Sequence, residues 1–227
     1  MPPEHPAARK IDFVREGDAY RAKPGEFRLI DLPPMQYLMI DGHGDPNRAP
    51  EFAAAVETLY PVAYGLKFAS KRELGRDYVV PPLEGLWWAD DMSAFTAARD
   101  KSLWHWTLML MLPAWLGHED LDRSVHAARQ KGRAPRLDAL RLETLTEGLC
   151  LQTLHIGPFD DEGETLARLH EEIAPRHGLA LRGTHHEIYL GDFRRTAPEK
   201  RRTILRQPVR RAEGIAVESR AVGSQPV

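Results

Sequence analysis

Two stretches of the chain carry apolar residues at the spacing of a helix that lies on a sheet. The first covers residues 49–71, and its apolar positions are Phe52, Ala55, Val56, Leu59, Tyr60 and Ala63. Recurrence every three or four residues places these side chains on one face, so the pattern predicts an amphipathic helix. The second stretch has Leu166, Leu169 and Ile173 and ends near Gly178, where glycine favours a left-handed helix stop.

The two helical stretches belong to an internal repeat. Residues 37–68 align without a gap on residues 150–181, at a constant offset of 113. The shared positions include Gly44 with Gly157, Gly65 with Gly178, Leu38 with Leu151 and Ala54 with Ala167. Each copy predicts a strand, a glycine turn, a helix, a glycine stop and a strand, and self-similarity of this kind indicates a duplicated architecture. The alternative is chance similarity between two ordinary strand–helix units.

Two further strand-like runs follow each helix. They cover residues 78–88 and 104–112 in the first copy and residues 184–190 and 203–209 in the second. One strand, one helix and two strands in each copy predict an α+β fold of two βαββ repeats. Two such units in tandem indicate antiparallel sheets related by a pseudo-twofold axis. The seam between them is the expected place of a central ligand cleft.

Composition shifts along the chain predict its boundaries. A proline-rich, charged arm covers residues 1–34 and contains one apolar patch, Arg28–Leu32, that suits an edge strand. The domain covers residues 35–210, with repeat one at about 35–112, a connecting helix at about 117–131 and repeat two at about 140–210. The connecting helix is predicted from the helical spacing of Leu121, Val125 and Ala128. Residues 211–227 are predicted to be a flexible tail.

A proline-containing motif precedes the last predicted strand. Thr196-Ala-Pro-Glu199 matches a capping box, in which a hydroxyl and a carboxylate satisfy the first free amides of a helix. The box favours a short helix over Thr196–Leu205 in place of a strand.

Composition and charge limit the partners of the protein. The 227 residues carry 31 basic and 33 acidic side chains, a net charge of −2, which argues against nucleic acid or an anionic membrane as main partner. A single cysteine, Cys150, excludes a disulfide framework and favours a reducing compartment. The start lacks a signal-peptide pattern, and no apolar run approaches about 20 residues. We expect a cytoplasmic monomer or weak homodimer.

The segment Pro82-Leu-Glu-Gly-Leu-Trp-Trp88 suggests the wall of a pocket. Neighbouring strand residues point to opposite faces, so one of Trp87 and Trp88 can lie in the core while the other lines a cavity. Glu84 shares a face with Leu86 and Trp88, and a carboxylate among apolar groups is costly unless it is paired. The alternative is a strand-end glutamate that reaches solvent or an arginine.

The matching strand of the second copy carries His185, His186, Glu187 and Tyr189. Glu187 shares a face with His185 and Tyr189. Glu84 and Glu187 fall at equivalent places when a longer loop is allowed, so both can face one cavity. There they would neutralise a cation, or act as a general base whose pKa desolvation raises. The alternative is that Glu187 pairs with Arg194 or Arg195 downstream.

The run of residues 104–112 is apolar on both faces, with Trp104 and Trp106 on one side and Met109 on the other. Methionine makes an adaptable pocket wall, although a central buried strand explains the same pattern. We expect no metal, because neighbouring strand residues cannot meet one ion and the sequence has no HExxH or paired-cysteine motif. It also has no phosphate-loop or dinucleotide fingerprint, so no cofactor is expected.

Five segments together resemble the stand-alone GyrI-like proteins. They are residues 39–46 (MIDGHGDP), 82–88 (PLEGLWW), 106–109 (WTLM), 186–200 (HEIYLGDFRRTAPEK) and 205–208 (LRQP). The likeness covers about residues 10–209, and the ends of the chain are not part of it. The fold that the resemblance implies, two βαββ repeats around a pseudo-twofold ligand cleft, agrees with the repeat found in the sequence.

The resemblance also implies a small, flat aromatic or lipophilic ligand. Related domains are the effector-binding halves of multidrug-sensing regulators. Some stand-alone members resemble cyclopropanoid cyclopropyl hydrolases, which open the strained ring of DNA-alkylating natural products. The family's key glutamate falls on Glu187, and its aromatic walls fall on Trp87 or Trp88 and on Tyr189.

The candidate site therefore has catalytic and binding parts. Glu187 is the candidate base that deprotonates water, and Tyr189 is a candidate donor to a carbonyl oxygen. The candidate ligand-binding residues are Trp87, Trp88, Glu84, Trp106, Met109, Tyr37 and His155. Two alternatives to a hydrolase are a non-catalytic binder or sensor of lipophilic cations and a protein that modulates gyrase.

Overall fold

The computed structural model of the chain describes residues 9–91, 100–132 and 134–212. The start of the predicted arm, residues 1–8, and most of the predicted tail, residues 213–227, lie outside the described residues. None of the helices within those three ranges has the length and apolar character needed to span a membrane.

The secondary structure follows the duplicated pattern of the sequence. The helices are α1 (Phe13–Glu16), α2 (Pro50–Glu73), α3 (His118–Lys131), α4 (Glu162–Ala167) and α5 (Ala174–Arg176), with a π-helical turn at Arg168–Ile173. The strands are β1 (Arg28–Leu32), β2 (Met35–His43), β3 (Glu84–Trp88), β4 (His105–Leu112), β5 (Arg141–Leu145), β6 (Gly148–Ile156), β7 (Leu179–Leu181), β8 (His185–Tyr189) and β9 (Arg202–Arg211). Single 3₁₀ turns lie at Asp18–Tyr20, Lys101–Leu103, Leu137–Ala139, Phe159–Asp161 and Pro198–Lys200.

One antiparallel sheet contains the strands of both repeats. Its order is β1-β6-β9-β8-β3-β4-β2-β5, and β7 pairs with β9 beside this path. The α+β class is therefore confirmed, but the two repeats share one sheet instead of forming two. The junction is the pairing of β3 with β8, which sets Glu84 opposite Ile188 and Trp87 opposite His185.

The two faces of this sheet are covered differently. The helix face, the side of Trp87 and Glu187, carries α2 and α4–α5, and the predicted stripe of α2 packs there with Phe52, Ala55, Val56, Leu59 and Ala63 buried. The arm face, the side of Glu84 and Met109, is covered in part by the N-terminal arm, whose Ala19 and Tyr20 are buried. The arm thus joins the core, and its predicted edge strand Arg28–Leu32 is present as β1.

The glycine stop predicted in the first repeat does not exist. Helix α2 continues through Gly65 to Glu73. Gly65 instead lies where α2 meets α3, and a Cβ there would be 2.5 Å from Ser124 Oγ. Close helix packing explains the glycine. In the second repeat the prediction is confirmed, because Gly178 follows the helical segment with φ +62°.

Two strand boundaries also differ from the predictions. The strand expected over residues 78–88 begins only at Glu84, because Pro81 and Pro82 have no amide to donate to a ladder. The helix expected over Thr196–Leu205 is reduced to the 3₁₀ turn Pro198–Lys200. The Thr196 hydroxyl donates to the carbonyl of Asp192 and caps no helix, and β9 begins at Arg202.

Candidate functional site

A cavity of about 470 Å³ opens on the helix face beside the junction of the two repeats. Its volume lies within the range of small-molecule sites. Its aromatic walls are Phe52, Trp87, Trp104, Phe159, Tyr189 and Phe193. Both repeats supply these rings, so the position agrees with the expected cleft at the seam.

Glu187 projects into this cavity from β8. Its side chain is 15% exposed, and its Oε2 accepts a 2.8 Å hydrogen bond from the Tyr189 hydroxyl. Burial raises the pKa of Glu187 to about 7, although the bond from Tyr189 acts in the opposite direction. A carboxyl group that titrates near neutral pH is suited to accept a proton from water.

Tyr189 connects Glu187 to the aromatic wall. Its oxygen accepts a 2.9 Å hydrogen bond from Trp87 Nε1 while its hydrogen is directed to Glu187. Gly85 lies opposite Glu187 in the sheet, and a Cβ at that position would be 2.9 Å from Trp87 Nε1 and 3.2 Å from the Tyr189 oxygen. The glycine therefore leaves space for the chain of hydrogen bonds that fixes the carboxylate.

A second buried carboxyl group, Glu162, lines the same cavity. It lies in the first turn of α4, is 4% exposed, and its Oε1 has no hydrogen-bond partner among the described residues. Burial, followed by the charge of Glu187, raises the pKa of Glu162 well above its usual value. Sequence reasoning missed this residue, because an acidic run at the start of a helix is typical of a solvated turn.

Charged side chains surround the mouth of the cavity. Lys101 forms a 2.6 Å ion pair with Asp160 and lies 5.6 Å from the centre of the Trp104 ring. The guanidinium of Arg201 lies 4.9 Å from the centre of the Phe159 ring. These cations hold two of the aromatic walls at the entrance.

The two adjacent tryptophans have different environments. Trp87 lines the cavity, is 5% exposed and packs 6.2 Å from Phe52 between ring centres. Trp88 points to the opposite side of the strand and stacks on His105 at 5.6 Å with an interplanar angle of 15°. The sequence left open which of the two faces the pocket, and the structure assigns that position to Trp87.

Glu84 does not share the cavity with Glu187, contrary to expectation. The two lie on opposite faces, because Glu84 is paired with Ile188 and its neighbour Gly85 with Glu187. Glu84 is fully buried on the arm face, where its Oε1 accepts a 2.8 Å hydrogen bond from the hydroxyl of Tyr20. The equivalence of the two glutamates inferred from the repeat is therefore wrong, because equivalent positions would lie on the same face of the sheet.

A network of buried charges surrounds Glu84. Nε2 of His186 lies 2.9 Å from Glu84 Oε2, and its Nδ1 lies 3.0 Å from Glu147 Oε1. Arg206 donates to Glu147 Oε2 at 2.9 Å and to the carbonyl of Ala19 at 2.6 Å. Two carboxylates thus face one guanidinium and one imidazole, out of contact with water.

The charge state of His186 follows from this geometry. Ionised carboxylates only accept hydrogen bonds, so an imidazole between two of them must carry hydrogen on both nitrogens. Burial alone would lower the pKa of His186, but the charge of Glu147 and the bonds to Glu147 and Glu84 raise it. Burial acts to raise the pKa of Glu147, yet His186 and Arg206 hold it at about 2. The network is neutral when all four groups are ionised.

The other candidate ligand-binding residues lie outside the cavity. Trp106 is fully buried in the helix-face core, and a Cβ on Gly42 would be 2.0 Å from its ring. Met109 and Tyr37 belong to the core of the arm face. A ring nitrogen of His155 lies 3.1 Å from the carbonyl oxygen of Pro158, a residue of the cavity wall. These residues were selected because they are apolar or aromatic, and residues of the hydrophobic core have the same character.

Within residues 9–91, 100–132 and 134–212, no three His, Cys, Asp or Glu side chains are placed to hold a metal ion. His185 shows why the His-His-Glu run fails as a ligand set. Its ring lies on the helix face, with Nε2 3.7 Å from Glu187 Oε1, whereas the side chain of His186 points to the arm face. Burial lowers the pKa of His185 to about 3, so this imidazole is neutral.

Comparisons with known proteins agree with the fold. Residues 119–210 match the family model described as a GyrI-like small molecule binding domain. An uncharacterized conserved protein from Listeria innocua is 38% identical, with a TM-score of 0.80 over 88% of this chain and 100% of that one. A hydrolase from Listeria innocua is 36% identical, with a TM-score of 0.77 over 88% and 100% of the two chains.

A more distant structure is similar to this chain in fold alone. The C-terminal domain of EcmrR is 11% identical, with a TM-score of 0.51 over 82% of this chain and 98% of that one. No curated protein matches the sequence.

Proposed function

The chain belongs to the GyrI-like family of small-molecule-binding proteins, and on that premise we propose that its cavity binds flat aromatic compounds and hydrolyses cyclopropanoid DNA-alkylating toxins. The observation that carries the proposal is the buried carboxyl group of Glu187, which titrates near neutral pH inside an aromatic cavity. A hydrolase at 36% identity supports the reaction class. The role would be detoxification or self-protection.

Glu187 acts on water in the proposed reaction. A cyclopropane conjugated to a dienone carbonyl is opened when water attacks its CH₂ carbon. The new C–O bond forms, the strained C–C bond breaks, and its electron pair moves to the carbonyl oxygen as the ring becomes a phenolate. Glu187 takes the proton that water loses, and this proton then passes to the phenolate, directly or through solvent, which completes the hydrolysis and restores the carboxylate. Substrate and water together contain every atom of the product.

Tyr189 positions the base in this scheme. Its hydrogen is directed to Glu187 Oε2 at 2.8 Å, so it holds the carboxylate and is not directed to a substrate oxygen. This revises the role expected from the sequence, where Tyr189 was a candidate donor to the carbonyl. Trp87, Trp104 and Phe159 supply faces on which a flat heterocycle can stack.

The proposal is tested by incubating the purified protein with a cyclopropanoid and following the water adduct by mass spectrometry. We expect Glu187→Gln to lower the rate at least about 100-fold, because the amide cannot accept the proton. Glu171→Gln, at an exposed glutamate on the same side of the sheet, is the matched control and should act as wild type. Equal rates for wild type and Glu187→Gln would remove the hydrolase proposal.

Binding of lipophilic cations without catalysis is the second candidate function. The observation that favours it is the presence of two carboxyl groups, Glu187 and Glu162, within aromatic walls. A fluorescent lipophilic cation should then bind more tightly as the pH rises through about 7, where Glu187 ionises. Saturable binding that is indifferent to pH and to Glu187→Gln would contradict this candidate.

A further inference from the structure

The mechanism above leaves the second carboxyl group of the cavity without a function. Glu162 lines the cavity, is 96% shielded from solvent, and keeps Oε1 without a hydrogen-bond partner among the described residues. Buried polar atoms without partners are costly, and their presence in a site requires an explanation. A substrate atom that accepts or shares a proton would supply the missing partner.

Glu162 and Glu187 reach the cavity from different elements, α4 and β8. Each carboxyl group raises the cost of ionising the other, so the pair retains a proton at neutral pH. The Tyr189 hydroxyl donates a 2.8 Å hydrogen bond to Glu187, whereas Oε1 of Glu162 has no partner among the described residues. The ionised state therefore falls on Glu187 and the proton on Glu162. Two carboxyl groups held in opposite states are the arrangement of an acid–base pair.

We propose that Glu162 is the proton donor of the site, and that this donor enables the cavity to hydrolyse epoxides carried on flat aromatic frames as well as cyclopropanes. The inference rests on the proposed function of the cavity, since it places the reacting ring beside Glu187. It adds a second catalytic residue and a second class of strained substrate.

The proposed epoxide reaction is balanced. Water attacks one epoxide carbon as Glu187 takes its proton, and the C–O bond of the ring breaks. The electron pair stays on the oxygen, which receives the proton of Glu162. The product is a diol. The proton held by Glu187 then returns to Glu162, either directly or through solvent, and restores both groups.

The difference in leaving-group basicity indicates why a donor matters for epoxides. Opening of the conjugated cyclopropane releases a phenolate, whose conjugate acid has a pKa of about 10. Opening of an epoxide releases an alkoxide, which is about as basic as hydroxide, the anion of water with a pKa of about 15.7. An alkoxide therefore needs a proton as the bond breaks, whereas a phenolate can leave first and be protonated later.

The test measures diol formation from trans-stilbene oxide and water addition to a cyclopropanoid with the same protein preparations. Wild type should convert both. We expect Glu162→Gln to lower epoxide opening at least about 100-fold and cyclopropane opening less than about tenfold. Glu187→Gln should lower both rates. Glu164→Gln, an exposed glutamate on the same helix, is the matched control and should match wild type on both substrates.

The outcomes separate this inference from the proposed function. Conversion of the cyclopropanoid alone by wild type overturns the epoxide inference and leaves the proposed function standing. Equal epoxide rates for wild type and Glu162→Gln overturn the donor role. Infrared spectroscopy tests whether Glu162 is protonated without any need for turnover. At about neutral pH, a carboxylic acid band that disappears in Glu162→Gln and persists in Glu164→Gln supports the donor role. The absence of such a band from wild type overturns it.

Discussion

Nε2 of His186 lies 2.9 Å from Oε2 of Glu84, on the side of the sheet opposite to the cavity. The next residue, Glu187, points to the helix face and lines that cavity. Strand alternation thus assigns two adjacent titratable residues to different tasks. His186 belongs to a structural charge network, and Glu187 is the candidate base. The two can be tested separately.

The loss of one partner from the buried network should destabilise the fold strongly. Arg206→Met removes the guanidinium that bonds Glu147 and the carbonyl of Ala19. Removal of one partner leaves a buried charge without compensation, so we expect the free energy of unfolding to fall by about 3–5 kcal/mol. Urea denaturation followed by circular dichroism measures the change.

A surface ion pair provides the comparison for that variant. Arg141 bonds Asp41 and Glu143 with its side chain 39% exposed. Arg141→Met should lower the free energy of unfolding by no more than about 1 kcal/mol, because solvent screens exposed pairs. A similar loss in both variants would mean that burial does not distinguish the network.

Stability should be greatest in mildly acidic solution. The pKa of Glu147 is lowered from 4.5 to about 2, so its contribution is present above pH 4.5 and is lost as the pH falls toward 2. The pKa of His186 is raised from 6.5, so its contribution is present below pH 6.5 and is lost as the pH rises through the folded value. The pKa of Glu187 is raised from 4.5 to about 7, so its contribution is present below pH 4.5 and is lost as the pH rises toward about 7.

Chemical denaturation in buffers from about pH 3 to about pH 9 checks this profile. We expect the maximum near pH 4.5, where the contribution of Glu147 is nearly complete and the loss from Glu187 begins. The decrease in stability between pH 4.5 and about 7 should be shallower in Glu187→Gln, which no longer carries the buried acid. A profile that rises steadily toward alkaline pH would contradict the assigned charge states.

Tyr189 should set the pH at which the site becomes active. Its hydrogen bond stabilises the ionised form of Glu187, so Tyr189→Phe should raise the pKa of Glu187 further above its present value of about 7. A bond to a charged group contributes about 1.5–3 kcal/mol, which corresponds to about one to two pH units. The midpoint of kcat/KM against pH measures the shift.

Tyr78→Phe is the matched control for that experiment. Its hydroxyl is also buried but has no hydrogen-bond partner among the described residues, and Tyr78 is not a residue of the cavity wall. The midpoint should not move in this variant. Equal midpoints for wild type and Tyr189→Phe would show that the hydrogen bond does not tune the base.

Ligand binding should depend on one tryptophan of the adjacent pair. Trp87→Leu removes an aromatic wall and the donor to Tyr189, so we expect the Kd of a flat aromatic ligand to rise about tenfold or more. Trp88→Leu alters a ring stacked on His105 on the other side of the strand and should change the Kd less than about threefold. Isothermal titration measures both. The reverse order of effects would place the ligand elsewhere.

Local patterns were sufficient to predict the two longest helices of this fold. The apolar stripe from Phe52 to Ala63 predicted α2, and the spacing of Leu121, Val125 and Ala128 predicted the connecting helix. Both follow from helical periodicity, which needs no tertiary information. The predicted helix end at Gly65 was wrong because Gly65 allows α2 to pack closely against Ser124. That contact is distant in sequence, so a local pattern does not contain it.

The site was predicted less completely than the fold. Glu187 and Tyr189 could be placed on one face from alternation alone, but the face of Glu84 depended on the register between β3 and β8. Glu162 was missed because an acidic residue in the first turn of a helix is typically solvated, and Tyr20 was missed because its partner lies far away in sequence. Tyr20 meets Glu84 across 64 positions. Such pairs become visible only when the chain is folded.

The bond between Arg206 and the carbonyl of Ala19 spans 187 positions of the chain. During synthesis Ala19 leaves the ribosome early and must wait for β9 before its partner arrives. Contacts between residues so far apart in sequence slow folding, because the entropy cost of closing a long loop must be met before the contact can stabilise the chain. The arm face therefore stays open until β9 has been synthesised, and chaperones that shield nascent apolar surface have their longest time to bind there.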